Sequence, residues 1–457
     1  MLQVAVLLTM LSPAQPTAWP LEEIQLANGA KLRGIILEES ATGIRFRVIR
    51  RPPGRPTVTL TSFFPPGEVT GLTRLNDKDK ATLKGKLAEL DAVTQGERKR
   101  ADELNLKPVE WLGKPNAAKQ YDSEQFVLIS SADDEVTRRA ALRLEQIFTA
   151  YSRYLPPRVT TATPVTILLA PNREEYQGLL GGRTIVNPAV YDPAANRIVI
   201  GSELRTLSAD VAAARLHHVQ QLAVVDEYDK RIHELYKNAP KPERDRHIKT
   251  AADERAKVLA ADRANDGKFD QATAKLFALL YHESFHAYVI NHVYPPRTAD
   301  EIKSGNGNGG LPRWLNEGLA QLFETAVLDG GELRVGHADT ARLDRVQTAI
   351  KSDKANSVLA PIAEVLIARS DSYIAAHASQ KEATDAVYLT GWAVTFHLAF
   401  ERRLLGTKAF DEYLTHLNTG TDPRTAFEKL VGTDLDKYSQ EVNSYMLKLR
   451  PDGSLRK

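Results

Sequence analysis

Tyr281-His282-Glu283-Ser284-Phe285-His286 decides the reading of this chain. The pattern H-E-x-x-H falls inside Ala272 to Ile290, a run whose residues predict a helix. Helical positions i and i+4 lie one above the other on one face. His282 and His286 can therefore aim both imidazoles at one Zn²⁺, with Glu283 beside them. Two neutral nitrogen donors, an open position for water and a carboxylate within reach of it are what a metal hydrolase needs.

The next informative segment is Leu311-Pro312-Arg313-Trp314-Leu315-Asn316-Glu317-Gly318-Leu319-Ala320-Gln321-Leu322-Phe323-Glu324. Pro312 suits the first turn of a helix, and Trp314, Leu315, Leu319, Leu322 and Phe323 supply a buried face. Glu317 falls on the first turns of that helix. A carboxylate there can complete a His₂Glu set, the donor set of a catalytic rather than a structural zinc site.

H-E-x-x-H followed by W-L-N-E-G-L-A resembles the gluzincin zinc peptidases, in particular their peptidase MA-like branch and the aminopeptidase N family, whose second helix reads W-L-N-E-G-F-A. The resemblance implies Glu317 as the third zinc ligand and Glu324, seven positions on, as a carboxylate that supports the ligands. It extends to Tyr388-Leu389-Thr390-Gly391. Aminopeptidases carry Y-x-K-G there, and their Tyr hydrogen-bonds the oxyanion; this chain keeps Tyr388 and Gly391 but has Thr390 in place of the Lys. The likeness covers roughly Gln125 to Leu449. It implies an α+β, thermolysin-like catalytic domain with a mixed sheet, active-site helices and a carboxy-terminal helical part. One departure matters. Aminopeptidases recognise a free amino terminus through G-x-M-E-N, and the only methionines here are Met1, Met10 and Met446. The expectation is therefore an endopeptidase acting on a peptide or protein substrate.

The implied chemistry assigns each residue a task. Zn²⁺, one per chain, held by His282, His286 and Glu317, would lower the pKa of a water toward about 7. Glu283 would take the water's proton and pass it to the leaving amine. The Tyr388 hydroxyl would stabilise the oxyanion. Glu324 would accept the second ring N–H of a ligand histidine. Tyr388 also reads as an ordinary buried aromatic. His217-His218 and His292 lack a matching spacing and read as surface or packing residues, and His397 reads as a core histidine. A second function class stands beside the peptidase: a catalytically silent gluzincin-fold binding or scaffold protein of the cell envelope.

Composition bounds the partners. The chain has 457 residues, 26% charged and 42% hydrophobic, an ordinary globular balance. A net charge of +2 predicts no bulk attraction to nucleic acid or anionic membrane. With no cysteine, disulfides and thiolate metal sites are excluded. Met1 to Ala18 reads as an export signal, with an apolar core from Leu2 to Leu11 and small residues at Ser12-Pro13-Ala14 or Pro16-Thr17-Ala18, although no Lys or Arg precedes the core. The expected location is the periplasm, the cell envelope or the exterior. No later run reaches the roughly 18 apolar residues of a membrane span.

The organisation follows. Residues 19–76 alternate apolar and polar positions between turns at Asn28-Gly29 and Thr42-Gly43, which predicts a small SH3-like β-barrel. Residues 77–122 read as a helical linker. Residues 123–457 form the catalytic region, with strands at Phe126–Ile129, Val165–Leu169 and Arg197–Ile200, and helices opened by Ser131 with Asp134 and by Asn172 with Glu175. In gluzincins the edge strand of the sheet pairs with extended substrate, a role assigned here to Arg197–Ile200. The insertion 203–268 predicts a helical hairpin broken at Asn238-Ala239-Pro240. It reads as a substrate gate or docking arm, or as a plain solvated insertion. Ser304 to Gly310 reads as a lid or a simple connection. Helices follow over Asp385–Leu405, Lys408–Leu417, Pro423–Val431 and Asp434–Leu449.

Overall fold

The structure is a computed structural model that describes residues 19–456, apart from 28, 53–54, 92–95, 160–161, 182–187, 202, 296–309, 330, 353–357 and 369–380. The expected export signal, Met1 to Ala18, and Ser304 to Gly309 of the expected lid lie outside the described residues. The fold is α+β, in two compact units: Met1–Arg50 with Thr61–Glu89, and Arg51–Leu60 with Leu90–Lys457.

The first unit is built on β1 (Glu22–Leu26), β2 (Lys31–Ser40), β3 (Gly43–Arg50), the part of β4 (Val58–Phe64) from Thr61 on, and β5 (Val69–Thr73), in the sheet order β4-β3-β2-β1-β5. Successive side chains on a strand point to opposite faces, so the neighbours Ile35 and Ile36 serve two cores. Ile36 joins Ile24, Leu26, Phe46, Val48 and Phe64 on one side. Ile35 and Ile49 pack on the other against Leu83 and Leu87 of α1 (Asp77–Leu90).

In the second unit, α2 (Gly96–Asp102) precedes β6 (Lys107–Trp111), β7 (Lys114–Asp122), β8 (Phe126–Ser130), α3 (Asp134–Tyr154), β9 (Val165–Ala170), α4 (Arg173–Leu179), β10 (Ala189–Asp192) and β11 (Arg197–Gly201). The six strands form one mixed sheet, β10-β11-β9-β8-β7-β6, in which β8, β9 and β11 are parallel. The helical linker expected over 77–122 thus ends at Asp102, and Lys107–Asp122 belong to the sheet. Their charge and Pro108 disguise them, yet proline is tolerated at a sheet edge, where β6 lies.

The strand Arg197–Ile200 is not the edge. It pairs with β10 on one side (Tyr191 with Ile198) and β9 on the other (Arg197 with Thr166). Its unbroken run Ile198-Val199-Ile200 is buried, the pattern of an interior parallel strand. The edge is β10. The cap of α3 also differs: Asp133 Oδ1 accepts from the Glu135 amide, while the Ser131 hydroxyl donates to Glu175. Asn172 caps α4 through the Glu175 amide, as expected.

The insertion forms the expected hairpin of α5 (Arg205–Leu235) and α6 (Lys241–Tyr288), and α6 runs without a break into the H-E-x-x-H segment. Buried Arg139 and Arg143 on α3 anchor it. Arg143 pairs with Glu97 and Asp270, and Arg139 with Asp266, so carboxylates of α2 and α6 neutralise both guanidiniums. Beyond lie α7 (Arg313–Glu324), a short hairpin of β12 (Val327–Asp329) and β13 (Glu332–Arg334), and helices Thr340–Lys351, Ile362–Ile367, Lys381–Phe396, Lys408–Asn418, Pro423–Val431 and Leu435–Lys448. The sequence reading lacked the hairpin and the first two of these helices. Among the described residues no helix is long and apolar enough to cross a membrane.

Candidate metal centre

The spacing of α6 and α7 is set by aromatic packing on the side of α6 away from the histidines. Tyr281, Phe285 and Tyr288 are buried there at helical spacing. Phe285 packs on Phe323 of α7 at 5.2 Å between centroids, and Tyr151 of α3 meets Phe323 edge-on at 4.7 Å. The Tyr151 hydroxyl donates to the Tyr281 carbonyl at 2.6 Å. Trp314, Leu315, Leu319, Leu322 and Phe323 are all buried, as their periodicity predicted. Gly318 explains the glycine of W-L-N-E-G: a Cβ there would stand 2.2 Å from Thr395 Oγ1 and 3.0 Å from the Gly391 carbonyl oxygen. Only glycine lets α7 lie this close to the helix Lys381–Phe396, which carries Tyr388.

This packing turns His282, His286 and Glu317 toward one point, with one donor atom from each within 4.8 Å of the others. His282 Nε2 and His286 Nε2 are 3.0 Å apart, and each lies 3.6 Å from a Glu317 oxygen. Tetrahedral bonds of about 2.0–2.1 Å require donor separations of roughly 3.3 Å. The observed spacings bracket that value, so the three side chains could hold a divalent ion. The nitrogen and oxygen donors suit zinc.

The surroundings supply what such a centre would need. Glu324 Oε1 lies 2.6 Å from His282 Nδ1, and Arg342 holds the other Glu324 oxygen at 2.7 Å. Nε2 of His282 is thereby left facing His286 and Glu317. Glu283 Oε2 accepts the amide of Tyr191 on β10 at 2.9 Å. Nδ1 of His286 and Oδ1 of Asn316 are both buried without a hydrogen bond of normal geometry, although Asn316 is among the groups that favour the protonated imidazole of His286. A cation also stands beside the trio: Arg313, one turn before Glu317, with Nη2 2.6 Å from Glu317 Oε1. That contact is an ion pair without hydrogen-bond alignment.

The electrostatics divide the two histidines. Burial lowers the proton affinity of His282, but the Glu324 hydrogen bond and the charges of Glu324, Glu317 and Glu283 outweigh it and push the pKa up to about 9. Burial dominates at His286 and, with the positive charges of His282 and Arg313, pulls it down to about 4 against Glu317. Burial raises Glu283, opposed by His282 and the Tyr191 amide. Glu324 is held low despite burial, by His282 and Arg342. Burial and the Glu317 charge raise the Tyr388 hydroxyl, with Arg313 opposing them, so the phenol is protonated.

The six residues named from the sequence thus gather in one place. Sequence reasoning missed Tyr191, Arg313 and Arg342. Arg313 and Asn316 lay in plain view inside the second motif, whereas Tyr191 and Arg342 carried no motif. Of the other histidines, His292 stacks on Tyr288, His397 Nδ1 meets the Tyr438 hydroxyl, and His218 pairs with Asp262.

Residues 277–421, which contain both motifs and Tyr388, match the family described as "Protein of unknown function (DUF1570)". No curated protein matches the chain. No solved structure matches it either.

Proposed function

We propose that the protein is a zinc-dependent metallopeptidase that cuts within peptide or protein chains. The observation that carries this reading is the convergence of His282, His286 and Glu317 from two adjacent helices, with Glu324 seated on the far nitrogen of His282. A core pair of histidines needs no such carboxylate behind it; a metal-binding imidazole does. On the same reading the six-stranded sheet with α6 and α7 is a thermolysin-like gluzincin core, and the five-stranded sheet is an SH3-like barrel. Support for the first lies in the mixed sheet with its edge strand beside the H-E-x-x-H helix, and for the second in five short, mostly antiparallel strands around an apolar centre.

His282, His286 and Glu317 would hold the ion, which supplies Lewis acidity toward water and toward the scissile carbonyl. Glu283, its proton affinity raised by burial, takes a proton from the attacking water and returns it to the leaving nitrogen. The Tyr191 amide holds one Glu283 oxygen, leaving the other for that exchange. The neutral phenol of Tyr388 donates to the developing oxyanion. Among the described residues no strand pairs with β10 on its outer side, and apart from the Tyr191 amide that Glu283 holds, that edge takes an extended substrate through backbone hydrogen bonds, in place of β11.

The test is hydrolysis of labelled casein by the zinc-loaded protein and by Glu283→Gln. The substitution should leave zinc bound and lower turnover by about 10²–10⁴-fold. Equal turnover by Glu283→Gln, or a zinc-loaded wild type that cuts neither casein nor a random peptide library, would overturn the proposal.

A further inference from the structure

The candidate centre contains a cation that the reading above does not use. Arg313 precedes Glu317 by four residues on α7, and its Nη2 stands 2.6 Å from Glu317 Oε1. An exposed pair at this spacing would be ordinary helix decoration. Here Glu317 is 5% exposed and faces two histidines, so the pairing bears on the donor set. Both carboxylate oxygens are within reach of that set: Oε2 is 3.6 Å from His282 Nε2, and Oε1 is 3.6 Å from His286 Nε2. A carboxylate so placed could bind an ion through one oxygen or through both. Two-oxygen binding would fill the position that a catalytic site keeps open for water. The guanidinium is planar, permanently charged and carries five donors, so it can hold one carboxylate oxygen and serve a second acceptor. The Tyr388 hydroxyl lies close enough to feel both the Arg313 and the Glu317 charge.

We propose that Arg313 is a positioning residue that claims Glu317 Oε1, so that a divalent ion would take Glu317 through Oε2 alone. This inference rests on the zinc-centre reading and deepens it. It predicts a coordination number set by a residue outside the donor trio.

The experiment uses the full chain loaded with Co²⁺, whose visible spectrum reports coordination number. Wild type, Arg313→Lys and Arg313→Gln are compared by that spectrum and by zinc affinity in competition with a chromophoric chelator. Arg313→Gln should weaken and shift the cobalt bands as Glu317 turns bidentate, and should change zinc affinity by about 10-fold or more. Arg313→Lys, which keeps the charge, should stay close to wild type. If Arg313→Gln does not fold, Arg313→Met takes its place, since it keeps the apolar stem. An unchanged cobalt spectrum in the uncharged variant overturns the inference alone, as does a Lys variant that departs as far as the uncharged one. A wild type that binds no cobalt sinks the metal centre and this inference with it.

Discussion

Gly318→Ala tests whether the helix contact that brings Tyr388 to the candidate centre is as close as described. The added Cβ would lie 2.2 Å from Thr395 Oγ1, 2.9 Å from Thr395 Cβ and 3.0 Å from the Gly391 oxygen. Ordinary contacts between such atoms are about 3.5–4.0 Å, so something must move by more than 1 Å. Thr395 cannot yield easily. It is fully buried, and β-branched side chains have few rotamers on a helix. Overpacking of this kind costs about 1–3 kcal/mol. Alanine recovers up to about 1 kcal/mol through its better helix propensity. A contact as short as 2.2 Å puts this clash in the upper half of the overpacking range, so the net expectation is a loss of about 1–2 kcal/mol, read as a lower urea midpoint at unchanged slope. If α7 and the helix Lys381–Phe396 part instead, Tyr388 moves away from Glu317. A shift of about 1 Å at a reacting centre costs on the order of 10²-fold in rate. Adding Thr395→Ala removes the worst clash and should restore part of both. A Gly318→Ala protein as stable and as active as wild type, without the second change, would refute the reasoning.

Glu324→Gln removes the carboxylate that meets His282 Nδ1 at 2.6 Å. Zinc affinity should fall by about 10–100-fold with folding intact, and unchanged affinity in chelator competition would count against the assigned role. His397 governs a separate pH effect. Burial, with Arg402 adding to it, pulls its pKa down to about 4, against about 6.5 in the unfolded chain. The unfolded state therefore binds more protons between these values. The contribution is fully present above the unfolded pKa and fades as pH falls toward the folded one. Between pH 7 and pH 5 it should remove about 2 kcal/mol, and His397→Gln should flatten that dependence. Parallel urea-stability curves for the two proteins over that range would contradict it.

The trio and Glu283 were legible because H-E-x-x-H and W-L-N-E-G sit on helices, where residue spacing alone fixes which side chains share a face. Trp314 and Leu319 faced the core for the same reason. Strand order carries no such local signal. The apolar run Ile198-Val199-Ile200 marked a strand, but nothing in it told an interior strand from an edge. The true edge, Ala189–Asp192, showed only four residues before the Asp192-Pro193 turn. Strands β6 and β7 were hidden by lysines and Pro108, because edge-proximal strands need few apolar residues. Arg342 reached Glu324 from a helix the sequence reading did not contain, and Tyr191 holds Glu283 through its backbone amide, which any residue but proline would supply.

The most direct test of the central claim is metal analysis of the purified chain combined with X-ray absorption at the zinc edge. The account predicts about one zinc per chain with two imidazole nitrogens and carboxylate oxygen among its neighbours, lost in His282→Ala and in Glu317→Ala. A protein that takes up no zinc after reconstitution, or that keeps it undiminished in both variants, would contradict the account.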